Sequence, residues 1–199
     1  MRFIISEAVV GLTKQAKVLS ETQQKVVLSY LKDSPKAERN TVMFLLSFDA
    51  GLRAKEIAEL QWKFLMDAQG ALTGEIRLEN AATKGASGGV IPCSTRLKKA
   101  LEELLLLGKG SAWVIDSQRS KKMSAASVTQ WFFHLYKRLG YEGCSSHSGR
   151  RTAITTWARK ISSVGGSMVD VQTLARHSSL SMTQRYVEVN KNAMKAVVG

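Results

Sequence analysis

Apolar positions recur along the chain mostly at helical spacing. Ser20 and Gln23 have the form of a capping box, and Val26, Val27, Tyr30 and Leu31 follow on one helical face. Ser34-Pro35 predicts the start of a second helix, with Val42, Leu45, Leu46 and Ala50 on its apolar face and Gly51 as its breaker. A third helix is expected over residues 54–60. The period then changes. Between residues 71 and 93, Ile76 and Leu78 alternate with charged neighbours, TKGASGG makes a glycine-rich turn, and Val90-Ile91 opens a return strand. A small antiparallel sheet is the expectation. Ser94 caps a helix bearing Leu97, Ala100, Leu101, Leu104 and Leu105. WVID, at 113–116, reads as a short strand. Further helices carry Val128, Trp131, Phe132, Leu135 and Leu139, then span 147–161 and 169–176. Ser181 and Gln184 form another capping box, which predicts a last helix from about Met182 with Tyr186 one turn in. The predicted fold class is mainly α with a small antiparallel β-sheet (α+β).

Charge adds a partner to this picture. The 199 residues carry a net charge of +13, and a polyanion, most often nucleic acid, is the usual reason for such an excess. No apolar run is long enough to span a membrane and no basic amphipathic anchor is present, so no membrane partner is expected. The leader MRFIISEAVVGLTKQ contains Glu7 and lacks a cleavage site, so it is not read as a signal peptide. Cys93 and Cys144 are isolated, and three histidines with two lone cysteines make no metal-ligand pattern. Two free thiols in a reducing, cytoplasmic compartment are expected, with no cofactor and no metal.

Several polar residues stand outside the packing pattern. His147 and Arg150 lie one helical turn apart in a first turn, where free N–H groups favour an anion. Arg53 starts a helix, with Glu56 placed to hold its guanidinium. Lys84 sits in the glycine-rich turn. His177 and Tyr186 close the two ends of a polar stretch that a tight turn brings together. Each has an ordinary structural explanation taken singly. Together, two arginines, two histidines, a lysine and a tyrosine suit metal-free phosphoryl transfer. Arginine binds phosphate through a planar fork, and clustered arginines favour a phenolate over a phenol of pKa about 10.

Four motifs then resemble one family. GLRAKEIAEL, TKGASGGVIP, HSGRRT and LARHSSLSMTQRYVEV occur in the order and spacing of the tyrosine recombinases, the phage-integrase family, over roughly residues 18–195. The resemblance implies a tyrosine-recombinase catalytic-domain-like fold over 18–199 after an N-terminal arm, 1–17. It implies that Tyr186 attacks a DNA phosphodiester to form a 3′-phosphotyrosyl link. Arg53 and Arg150 would hold the non-bridging oxygens, Lys84 would protonate the leaving 5′-oxygen, and His147 would assist proton transfer. His177 would hydrogen-bond the phosphate, and Glu56 would support the arginines. Two positions depart from the family pattern. Gly149 replaces the usual leucine and is expected to loosen its helix start by up to about 1 kcal/mol. Arg176 replaces the usual glycine and is expected to add a cation near the phosphate or the DNA backbone.

The implied activity is site-specific cleavage and rejoining of double-stranded DNA, by a bacterial or phage protein associated with the nucleoid. Two alternatives stand beside it: a non-cleaving accessory factor that keeps the fold and activates or regulates another recombinase, and a relaxing topoisomerase that uses the same chemistry. About twenty residues precede the first catalytic-domain helix, too few for the clamping domain most family members carry, so the chain is either a fragment or a minimal recombinase, and Met1 with its apolar leader favours the complete, minimal chain. A single domain covers one face of a duplex, so assembly as an oligomer on DNA or with a partner recombinase is expected. The tail VEVNKNAMKAVVG is the segment expected to dock on a neighbour.

Overall fold

The computed structural model describes residues 15–79, 88–108, 110–117 and 122–187. Among these the order is α1 (Glu21–Lys32), α2 (Ala37–Phe48), α3 (Ala54–Glu59), β1 (Glu75–Leu78), β2 (Gly89–Pro92), α4 (Thr95–Leu106), α5 (Ala125–Arg138), α6 (Ser148–Lys160), α7 (Met168–Ala175) and α8 (Leu180–Gln184). The strands pair antiparallel, Ile76 opposite Ile91 and Leu78 opposite Gly89. Ile76, Leu78 and Ile91 face the core while Arg77 and Val90 face out, which is the alternation read from the sequence. The mainly α architecture with one small antiparallel sheet is as expected. No helix among the described residues is long and apolar enough to cross a membrane.

Helix α2 is the hub, packed against α1, α3, α4 and α6. Residues 42–48 are buried on every side, so its one-faced apolar pattern understates its burial. Two caps anchor its neighbours. Ser20 and Gln23 complete the predicted capping box of α1. Ser94 accepts the N–H of Leu97 at the start of α4 and donates its hydroxyl proton to Asp49, at the end of α2. Arg96 Nε also donates to Asp49, at 2.7 Å.

Three local expectations are corrected. Helix α2 begins at Ala37, because Ser34 bonds back to Leu31 to finish α1 and Lys36 takes a left-handed φ of 61° before the helix can start. WVID pairs only through a single bridge, Trp113 with Gln61, since no second strand lies alongside it among the described residues. Helix α8 begins at Leu180, and the Ser181–Gln184 box does not form: Ser181 Oγ is bonded to Ser179 Oγ instead. Tyr186 therefore lies past the helix end, in a turn closed by its N–H on Thr183 O at 3.0 Å.

Gly149 does not loosen α6. A Cβ there would run into Ser47 Oγ and lie 2.9 Å from the Phe48 ring, so the bare glycine lets α6 press onto α2. Gly51 serves the same contact from the other side. Its φ is +63°, and a Cβ would stand 2.8 Å from the Trp157 ring. The close α2–α6 crossing brings the start of α3 beside the start of α6, and with it two of the motifs that build the site.

Candidate active site

An open cleft of about 690 Å³ is lined by Arg53, His147, Arg150, His177 and Tyr186, with Arg151 and Arg185 beside them. Five of the six catalytic candidates read from the sequence therefore meet in one place. Lys84 lies outside the described residues. Glu56 does not line the cleft; it is buried beneath Arg53.

Each side chain is held by an element end. Arg53 is the residue before α3, where its extended backbone turns its N–H onto Glu56 Oε2 at 2.8 Å and its Nη1 onto Oε1 at 2.8 Å. Arg150 is 5% exposed, and in the first turn of α6 it spans two chain segments. Nη1 donates to Gly51 O at 2.7 Å and Nη2 to Ala175 O at 2.5 Å. Burial, with Arg53 and Arg176 nearby, pulls its pKa down to about 10, so it stays charged at neutral pH. His147 precedes α6 as its N-cap residue and is exposed, one turn from the buried Arg150.

His177 and Tyr186 stack, with ring centroids 5.6 Å apart and planes at 25°. The polar turn between them does bring the two together. His177 Nδ1 bonds the buried Thr183 hydroxyl at 2.9 Å, which leaves Nε2 for a ligand. Burial first, then Arg150, Arg53 and Arg176, pull the His177 pKa down to about 4. The ring is neutral at pH 7, and a bound anion would raise that value. Tyr186 rests its ring against the small cluster of Ile154, Val171 and Ala175, which ties it to α6 and α7.

The cleft thus presents four arginines, two histidines and one tyrosine, with no carboxylate among the lining residues described. An anion is what such a surface takes. A model of the phage integrase family matches residues 17–193. The chain belongs to that family.

Its curated relatives include tyrosine recombinase XerC of Syntrophus aciditrophicus (strain SB), 23% identical over 170 residues, covering 80% of this chain and 52% of the relative. Tyrosine recombinase XerA of Thermococcus onnurineus (strain NA1) is 26% identical over 178 residues, covering 87% and 58%. The chain spans about half the length of these relatives. Among solved structures, the Tn1549 transposon integrase in complex with a circular intermediate DNA superposes with a TM-score of 0.76 at 18% identity, over 98% of this chain and 69% of that one. A XerA recombinase crystal structure gives 0.71 at 20%, over 90% and 63%. At that identity the likeness is one of fold, and the fold is that of a tyrosine recombinase catalytic domain.

Within the phage integrase motifs, Arg176 does not face outward as a cation free for the DNA backbone. Its side chain is 2% exposed and donates from Nη2 to Glu56 Oε2 at 2.6 Å. Helix α7 ends in a left-handed residue, and that turn aims Arg176 inward under α3. Arg151, Arg185 and Thr183 belong to the site although the motif reading does not mark them. The two arginines directly neighbour the motif residues Arg150 and Tyr186, and the net charge of +13 is the signal that could have found them. Thr183 carries no signal in the sequence, since only the turn places it under His177.

Proposed function

We propose that this chain is the catalytic part of a site-specific DNA recombinase, cleaving and rejoining DNA through a 3′-phosphotyrosyl intermediate. The observation that carries the reading is the convergence of Tyr186 with Arg53, Arg150, His147 and His177 in one cationic cleft. Tyr186 Oη attacks the scissile phosphorus, the bond to the 5′-oxygen breaks, and a 5′-hydroxyl leaves. His147 assists removal of the tyrosine proton and Lys84 protonates the departing oxygen. Arg53 and Arg150 bind the non-bridging oxygens and stabilise the charge that builds on them, from positions already fixed by Glu56, Gly51 O and Ala175 O. Neutral His177 donates to the phosphate from Nε2. Attack by another strand's 5′-hydroxyl on the phosphotyrosine reverses the step and joins new ends. The exchange conserves one phosphodiester bond, so it consumes no ATP. A non-cleaving accessory factor has no use for a tyrosine set against such a cluster.

The test is capture of a covalent protein–DNA adduct on a nicked duplex that loses its leaving strand. Two further results are expected with the same DNA. Affinity for the duplex should fall steeply with salt, because each phosphate neutralised adds about −0.9 to the slope of log K against log salt. A flat dependence would remove the cationic cleft from the account. Cleavage should continue in EDTA, since the arginines supply the positive charge the reaction needs; a loss that magnesium restores would contradict the scheme.

Strand exchange requires several active sites on paired DNA segments, so the partners proposed are duplex DNA and further protomers or a partner recombinase. Free protein at micromolar concentration should sediment as a monomer and assemble on DNA; a stable tetramer without DNA would count against this. The tail expected to mediate assembly lies, from residue 188 onward, outside the described residues, as do residues 1–14 of the N-terminal arm.

A further inference from the structure

Arg176 sits where its chemistry is least expected. It closes α7 with φ 54° and ψ 47°, a left-handed conformation that any residue with a Cβ adopts at a cost and that glycine adopts freely. Its guanidinium is buried, yet Nε and Nη1 have no hydrogen-bond partner among the described residues. Burying an arginine with two donors unmatched is a poor route to stability. A residue that served only to end the helix would be better as glycine.

What Arg176 does hold is Glu56. The carboxylate has three donors: Arg53 Nη1 on Oε1, and both Arg53 N–H and Arg176 Nη2 on Oε2. Arg176 thereby pins one oxygen from α7 while the other faces the Arg53 guanidinium. Its aliphatic stem runs past Gly89, where a Cβ would stand 3.4 Å from Cδ, so the same side chain spans the end of α7, the start of α3 and the start of β2. It does not line the cleft.

We propose that Arg176 is a positioning residue for strand cleavage: by holding Glu56 from beneath, it presents Arg53 to the scissile phosphate in a fixed orientation. The inference rests on the recombinase reading above. The charged groups around Glu56 are Arg53 at the start of α3, Arg176 at the end of α7 and Arg150 from α6. Burial alone would raise the Glu56 carboxyl, but Arg176 and then Arg53 outweigh it and hold the value below the ordinary one. Without Arg176, burial regains ground and the value rises. Arg53 then loses part of its partner's charge as the pH falls.

The experiment compares wild type with Arg176→Gln, Arg176→Lys and Arg176→Gly. The glycine variant removes the left-handed strain and so guards against a trivial failure to fold. Single-turnover cleavage of a nicked duplex is expected to slow about 10- to 100-fold in the Gln and Gly variants. The DNA Kd should stay within about twofold, because Arg176 does not reach the DNA-facing cleft. Lysine, a point charge without the planar fork, should restore part of the rate. The acid limb of the cleavage profile should move to higher pH in the Gln variant. His177 also titrates on that side, so the Glu56 carboxyl is read directly by carbon NMR in free protein, where its midpoint should rise in the Gln variant. An unchanged midpoint, an unchanged cleavage rate, or equal loss of binding and cleavage in the folded glycine variant would each overturn the proposal. If wild type itself forms no adduct, the recombinase reading fails instead, and the free-protein titration separates that outcome from a failure of the Arg176–Glu56 linkage.

Discussion

Tyr186→Phe is expected to abolish covalent capture on a nicked duplex, by roughly three orders of magnitude or more, while leaving DNA affinity nearly unchanged. The substitution removes only the hydroxyl. The ring still stacks on His177 and still rests on Ile154 and Val171, so the cleft keeps its shape. No other tyrosine can take over. Tyr136 is 1% exposed, and burial drives its hydroxyl further from ionisation. Tyr30 and Tyr141 do not line the cleft. Denaturing gels with end-labelled DNA, followed by peptide mapping, decide the matter. An adduct that persists in the phenylalanine variant, or that maps to another tyrosine, would remove Tyr186 from the mechanism.

The second large effect is on stability. Glu56→Ala should destabilise the fold by about 3–5 kcal/mol, because it strands the Arg176 guanidinium in the interior with no acceptor. That is a large fraction of the roughly 5–15 kcal/mol that holds a typical domain together. The exposed pair Lys99–Glu103, 76% and 55% exposed, makes the contrast: Glu103→Ala should change stability by no more than about 0.5 kcal/mol. Adding Arg176→Met to Glu56→Ala should recover part of the loss, since the buried charge goes as well. Because the folded-state carboxyl lies below its ordinary value, its contribution is present at neutral pH and is lost as the pH falls through that lowered value. Urea unfolding at pH 7 and at progressively lower pH measures both effects. A Glu56→Ala protein as stable as wild type would mean that Arg176 finds another acceptor.

Much of the fold is legible in the chain itself. The capping residues Ser20 and Ser94, the alternation at Ile76 and Leu78, and the helical spacing on either side are local signals, set by backbone geometry within a few residues. Local signals also mislead. Ser34-Pro35 has the form of a helix start, yet Ser34 is used to finish α1, and Ser181–Gln184 has the form of a cap that Ser179 disrupts. Short polar patterns fit more than one turn, and tertiary packing chooses between them.

Periodicity, capping chemistry and charge are written residue by residue, so most of the secondary elements, the cationic character and the motif residues follow from the chain alone. What those residues face does not. Gly149 reads as a weak helix former, and the fold makes it the contact that seats α6 on α2. Arg176 reads as a cation near the phosphate or the DNA backbone, and a left-handed helix end carries it 120 residues back along the chain to Glu56. Its neighbour His177 reads as one end of a polar stretch, and burial among three arginines leaves it neutral. Burial and long-range pairing depend on how distant segments pack, and no local pattern encodes them.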